Sequence, residues 1–178
     1  MVQKFEKLEQ KVVRTSTILE YCDYEMKTPE GNIVHYDIMR HKGASAVVPV
    51  TDDGKILMVK QYRPAIDQIT LEIPAGCRDS KEEPFRTAAM RELEEETGYR
   101  TENLSHLITI TTAIAYCDEK IEVYVAKDLK PTQQRLDEDE FIDVEAYSLE
   151  ELKRMIFEAE ITDSKTIASV MAYADRMR

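Results

Sequence analysis

The 178-residue chain has no tryptophan and only three cysteines, three histidines, five glycines and six prolines. Each shortage removes an option. Glycine and proline are too sparse to mark a linker, and no repeat or low-complexity tract interrupts the sequence, so one domain with at most a small appendage is expected. Cys22, Cys77 and Cys117 are odd in number, widely spaced and without a Cys-x-x-Cys pair. They suggest free thiols in a reducing compartment. His35, His41 and His106 are isolated from one another in sequence, which argues against a histidine-held zinc or a histidine nucleophile. Met1 to Lys11 is charged with no apolar core of signal-peptide length, and no run approaches a membrane span, so the expected location is the cytoplasm. Basic charge is also short: 24 Lys and Arg against 35 Asp and Glu give a net charge of −11. Such a surface repels a nucleic-acid backbone or an anionic membrane, and an anionic small molecule would need a cation to offset the contact.

What the chain does have is a hydrophobic fraction of 43%, enough for a core, and one dense acidic segment, Arg91-Glu92-Leu93-Glu94-Glu95-Glu96-Thr97-Gly98-Tyr99. If Glu83 to Thr97 is helical, Glu92, Glu95 and Glu96 stand at i, i+3 and i+4 and share a face. Three carboxylates at that spacing repel one another unless a cation gathers them, and Mg²⁺ or Mn²⁺ prefers hard oxygen ligands. Arg91 lies one turn before Glu95 and can orient it, while Gly98 stands where a helix end calls for a left-handed residue. Ala89, Met90 and Leu93 form a neighbouring apolar arc that seats the helix on a core.

The rest reads as strands around this helix. Val12 to Met26, the turn Pro29-Glu30-Gly31-Asn32 and Ile33 to Met39 predict a hairpin, and Ser45 to Val50, Asp52-Asp53-Gly54 and Ile56 to Tyr62 predict a second. Ile69 to Ile73 gives a short strand before Pro74, Leu107 to Ile114 and Ile121 to Ala126 flank the turn Tyr116-Cys117-Asp118-Glu119, and Phe141 to Tyr147 gives a last strand. Ser148 to Glu151 has capping-box spacing for a helix reaching about Ala159, and Asp163 can cap a final helix. The order predicts an α+β sandwich, with a boundary between an N-terminal strand region, 1–42, and a core, 43–178.

On these residues the chain resembles the Nudix hydrolases, whose signature is Gly, five residues, Glu, seven residues, then Arg-Glu-aliphatic-x-Glu-Glu-x-Gly-apolar. Gly76, Glu83, Arg91 and Gly98 supply its frame, with one departure: six residues, Cys77 to Glu82, separate Gly76 from Glu83. The extra residue is placed in the loop, and Glu82 is the other candidate for the motif acid. Gln61-Tyr62-Arg63-Pro64, Leu71 to Gly76, Asp118-Glu119, Asp137 to Glu140 and Asp163 to Thr166 extend the resemblance to the ADP-ribose and nucleoside-diphosphate-sugar pyrophosphatase branch.

The resemblance implies an α/β/α sandwich with a mixed sheet, and an N-terminal antiparallel strand region that helps form a homodimer and part of the pocket. It implies metal-dependent hydrolysis of a diphosphate linkage in a nucleotide sugar, with Mg²⁺, or else Mn²⁺, as cofactor. The Ala75 carbonyl and Glu92, Glu95 and Glu96 become metal candidates, with Glu140 a further one. Glu138 takes the general-base position, Glu95 is a second catalytic carboxylate, and Arg91 is structural. Arg63 is the candidate phosphate contact, while Glu119 and Glu72 are candidates for the substrate pocket. Where the branch usually carries Ser-Pro-Gly-aromatic before the Asp-Glu pair, this chain has Ala113-Ile114-Ala115-Tyr116-Cys117, which reshapes the loop at the sugar end. A nucleotide-binding sensor of weak turnover on the same fold is the alternative function.

Overall fold

The computed structural model describes residues 1–138 and 140–177. Strands β1 (Glu6–Thr15), β2 (Leu19–Lys27) and β3 (Ile33–His41) form an antiparallel sheet in that order. The expected single limb from Val12 to Met26 is therefore two strands. The reversal falls at Ser16, whose backbone N–H donates to Leu19 O at 2.9 Å and whose hydroxyl accepts from Leu19 N at 3.2 Å. A Thr-Ser-Thr turn has none of the glycine, proline, asparagine or aspartate that usually announces one.

The core is built from β4 (Ala44–Pro49), β5 (Ile56–Arg63), β6 (Gln68–Glu72), β7 (Ala75–Cys77), α1 (Phe85–Thr97), β8 (Tyr99–Arg100), β9 (Asn103–Thr111), β10 (Lys120–Lys127), β11 (Lys130–Pro131), β12 (Asp143–Tyr147), α2 (Leu149–Phe157) and α3 (Ser164–Arg176). One sheet runs β7-β4-β10-β9 and is mixed: β4 and β10 are parallel, while β7 and β9 are antiparallel to their neighbours. A second antiparallel sheet runs β12-β5-β6, and β11 pairs with β8.

Every residue of β4 is buried because both its faces are covered. Ala44, Ala46 and Val48 share a core with Leu152 of α2 and Val170 and Tyr173 of α3. Val47, on the opposite face, packs with Ala89 and Leu93 of α1. This alternation, with period two along the strand, makes the α/β/α layers that the family resemblance implies. The capping box opens α2: Ser148 N–H donates to the Glu151 carboxylate at 2.8 Å and Glu151 N–H to Ser148 Oγ at 3.2 Å. Asp163 caps α3 by accepting from Thr166 N at 2.9 Å.

The acidic helix begins at Phe85, two residues later than its pattern suggests. Pro84 is the cause, since a proline disfavours helical backbone in the residue before it and so holds Glu83 out of the helix. Gly98 ends the helix at φ 70°, its N–H donating to Glu94 O at 2.9 Å. A Cβ there would also lie 3.0 Å from Gln134 N.

Candidate active site

Helix α1 brings Glu92, Glu95 and Glu96 to a cleft of about 680 Å³ that Ala75, Gly76, Arg63, Glu119, Glu140 and Lys165 also line. Glu92 and Glu96 are buried, at 9% and 3% exposure. Arg91 gathers the acids around one guanidinium: Glu92 at 2.7 Å, Glu95 at 3.0 Å, Glu83 at 3.4 Å and Asp79 at 3.6 Å. It also donates to Cys77 O at 2.9 Å, tying the helix to the loop after Gly76. Glu96 instead accepts from Ala75 N–H at 3.0 Å. Gly76 has no room for a side chain, because a Cβ would stand 2.2 Å from the Glu92 carboxylate.

The loop that carries the extra residue is pinned by Arg78, which donates to Lys42 O at 2.6 Å and Glu83 O at 2.8 Å and stacks on Phe85 with its guanidinium 4.2 Å from the ring centre. Glu83 reaches Arg91 and accepts from Asp79 N at 2.7 Å. Nothing in the sequence pattern pointed to Arg78.

Arg63 and Glu72 form a two-pronged pair at 2.8 and 2.7 Å. The register explains it: Gln61 pairs with Thr70 and Val59 with Glu72, so Arg63, Gln61, Thr70 and Glu72 face the same side of the β5–β6 ladder. Glu72 lies beneath the cleft with its oxygens also taken by Lys165 and by Thr70 at 2.6 Å. Burial works against its charge, but Arg63 and Lys165 outweigh it and lower its pKa to about 2. Glu72 is thus placed to orient Arg63 and Lys165, which line the cleft, rather than to meet a ligand itself. Lys165 was not singled out by the sequence, although it stands in a matched segment.

Glu119 lies in the cleft wall, accepting from Thr112 Oγ1 at 2.8 Å with the His41 ring 3.5 Å away. The acidic loop is anchored to the end of α1, where helix carbonyls lack partners. Arg135 N–H donates to Glu95 O at 3.0 Å and the Gln134 amide to Glu96 O at 2.7 Å. Asp137 and Glu140 line the cleft, whereas Glu138 is exposed and outside its lining; Asp139 lies outside the described residues.

Among the described residues no three acidic, histidine or cysteine side chains already converge as an ion's ligands. Hydrogen bonds from Arg91 to Glu92 and Glu95, and from the Ala75 N–H to Glu96, occupy the carboxylates instead. The donor set nonetheless fits a hard divalent cation, because its charge is under-compensated. Burial first, and Glu95 and Glu140 with it, raise Glu92 to about 7 against the pull of Arg91. Burial and then the Glu92 charge raise Glu96 to about 8. A cation held by Glu92, Glu95, Glu96 and the Ala75 carbonyl, with Glu140 beside them, would relieve that cost.

A stability test follows from the sign of these shifts. Both folded-state values lie above the ordinary 4.5, so the native protein holds protons that the unfolded chain has released. The stabilisation is full below that ordinary value and is lost as pH rises through the folded values. The Tm of metal-free protein is expected to fall between about pH 4.5 and pH 8, and saturating Mg²⁺ to flatten that fall. Parallel curves with and without Mg²⁺ would show that the ion does not bind these carboxylates.

Comparison with known proteins gives a family and a fold. Residues 39–170 match the family model of the NUDIX domain. The chain is 42% identical over 171 residues to the methanol dehydrogenase activator of Bacillus methanolicus, with 91% of each chain covered. It is 39% identical over 148 residues to the ADP-ribose pyrophosphatase of Bacillus subtilis, covering 82% of this chain and 80% of the relative. With the ADP-ribose pyrophosphatase of Mycobacterium tuberculosis it shares 33% identity over 170 residues, covering 94% and 82%. A crystal structure of an ADP compounds hydrolase shares the fold, with a TM-score of 0.86 at 22% identity over 99% of this chain and 96% of that one.

Proposed function

This chain belongs to the Nudix family, and from that premise we propose that it hydrolyses the diphosphate linkage of ADP-ribose or a closely related nucleoside diphosphate sugar, releasing a nucleoside monophosphate and a sugar phosphate. The observation that carries this reading is a single cleft holding the α1 carboxylates together with two cations, Arg63 and Lys165, oriented by the buried Glu72. A merely acidic cavity would repel a diphosphate. Glu72 takes the Nε–Nη2 edge of Arg63 and holds the guanidinium in place before substrate arrives, which leaves the Nη1 side to donate to phosphate oxygens.

Glu92, Glu95, Glu96 and the Ala75 carbonyl would hold Mg²⁺, with Mn²⁺ as its substitute. Such an ion would supply positive charge to offset the phosphate oxygens and to make the attacking water easier to deprotonate. The protein's own contribution is to place those carboxylates and to supply a base. Glu140 already faces the cleft, and Glu138, exposed on the same acidic loop, is assigned the base by its place in the family pattern. Glu138→Gln is expected to lower kcat about 10²-fold or more with metal affinity kept, and Glu140→Gln to weaken metal binding. Normal kcat in Glu138→Gln, measured beside Glu140→Gln, would move the base to another carboxylate.

The N-terminal sheet completes the proposal as a homodimer interface. Its first strand is almost entirely exposed and carries the apolar Leu8, Val12 and Val13. Sedimentation as a monomer would remove that element. The proposed compartment is the cytoplasm, where three free thiols persist.

A hydrolysis panel tests the function: ADP-ribose, ADP-glucose, GDP-mannose, UDP-glucose and dinucleoside polyphosphates, each with Mg²⁺ or Mn²⁺, read by the nucleoside monophosphate released. The proposal requires metal-dependent cleavage with a preference for a nucleoside diphosphate sugar. Binding without turnover on every member would replace it with the sensor function.

The identity with the Bacillus methanolicus protein supports a second reading, in which the chain raises the activity of a methanol dehydrogenase. Faster alcohol oxidation on adding the wild type but not Glu96→Gln would assign that effect to the hydrolytic site. No change with either would remove it.

A further inference from the structure

Gln61 lines the cleft, yet its amide Nε2 is buried and has no hydrogen-bond partner among the described residues. Buried donors are almost always paired, so an orphan in the wall of a cleft marks a place where a partner arrives from outside the fold. The neighbours do not supply one. Thr70, its cross-strand partner, donates to Glu72 at 2.6 Å, and Glu72 is filled by Arg63, Lys165 and that hydroxyl.

Gln61 and Arg63 stand two residues apart on one strand and so face the same side. Their Cα atoms are separated by roughly 6.6 Å, at about 3.3 Å per residue. That spacing lets the two side chains address different phosphates of a linked pair. The Arg63 fork is held by Glu72, which keeps its direction fixed, while the Gln61 amide has nothing to satisfy except what the cleft contains.

Resting on the hydrolase reading above, we propose that the Gln61 amide donates to a phosphate oxygen of the substrate's diphosphate beside Arg63, and thereby distinguishes a diphosphate-linked substrate from its monophosphate product. With substrate bound, the donor is paired to a phosphate oxygen. The residue thereby raises affinity for the diphosphate-linked substrate.

The test uses Gln61→Met, an unbranched apolar replacement, and Gln61→Glu, which turns the donor into a carboxylate. Affinities for a methylene-bridged, non-hydrolysable ADP-ribose analogue and for AMP are measured with Mg²⁺ present, alongside the Tm of the ligand-free proteins. Gln61→Met is expected to weaken the analogue about tenfold or more while AMP changes less than about twofold. Its ligand-free Tm should stay level, because the Nε2 donor makes no hydrogen bond to the described residues that the substitution could remove. Gln61→Glu should lose the analogue almost completely through repulsion of phosphate.

Unchanged analogue affinity in both variants would overturn the inference and leave the hydrolase function standing. Equal losses for analogue and AMP with a lowered Tm would also overturn it, by showing a structural role. Failure of the wild type to bind the analogue or cleave any diphosphate sugar would overturn the function itself, and the inference with it.

Discussion

Glu96→Gln is expected to reduce metal-dependent turnover at least about 100-fold, since even groups that only support metal ligands are worth 10- to 100-fold in affinity or activity. Glu96 is 3% exposed, and its carboxylate accepts from Ala75 N–H at 3.0 Å. Glutamine retains an oxygen for that bond and nearly the same volume, so the fold should persist. The substitution removes a carboxyl whose pKa burial raises to about 8. Metal-free Glu96→Gln should therefore match or exceed the wild type in Tm at pH 8, and its Tm should fall less steeply as pH rises. Turnover and Tm then move in opposite directions. Full activity would show that Glu96 is not a metal ligand, and a collapse of Tm would show that its charge supports the fold.

Glu72→Gln carries the second large effect, on stability first and on substrate binding after it. The carboxylate accepts from Arg63 through two bonds, from Thr70 and from Lys165, and its side chain is only 3% exposed. Removing one member of a buried ion pair leaves its partners uncompensated, a loss of about 3–5 kcal/mol when all are desolvated. The Arg63 side chain is 39% exposed, so screening reduces that to roughly 2–3 kcal/mol. The sign with pH is the reverse of that for Glu96. A pKa lowered to about 2 gives stability that is present above the ordinary 4.5 and is lost as pH falls through the folded value. Chemical denaturation of the variant should thus show a smaller loss on acidification than the wild type. KM for the diphosphate sugar should rise with the loss of Arg63 and Lys165 orientation; an unchanged KM would confine Glu72 to folding.

The parts of this molecule that could be read in advance are those encoded by short spacings. Glu92, Glu95 and Glu96 share a face because a helix turns every 3.6 residues, and Arg91 meets Glu95 at 3.0 Å for the same reason. Gly98 takes its left-handed backbone where the pattern stops. The α+β class followed from the order of strands and helices, and the α/β/α layering from the family resemblance. Features that depend on strand register or on loop paths were not legible. The Arg63–Glu72 fork arises because β5 and β6 pair in one register, and Lys165 joins it from a helix ninety-three residues farther along the chain. The unpaired Gln61 donor is defined by what does not surround it, which no local pattern encodes. The helix start was misplaced because the acidic periodicity runs back through Pro84 without registering the backbone restriction. Glu138 and Glu140 are two residues apart in an irregular segment, so spacing alone could not say which one faces the cleft.

The most direct measurement is ³¹P NMR of ADP-ribose incubated with the purified protein, in Mg²⁺ and in excess chelator, with Glu96→Gln in parallel. Conversion of the diphosphate resonances to two phosphomonoesters, AMP and ribose 5-phosphate, only with the wild type and only in Mg²⁺ is the predicted result. Equal cleavage in chelator, or equal cleavage by Glu96→Gln, would contradict a hydrolytic site built on the α1 carboxylates.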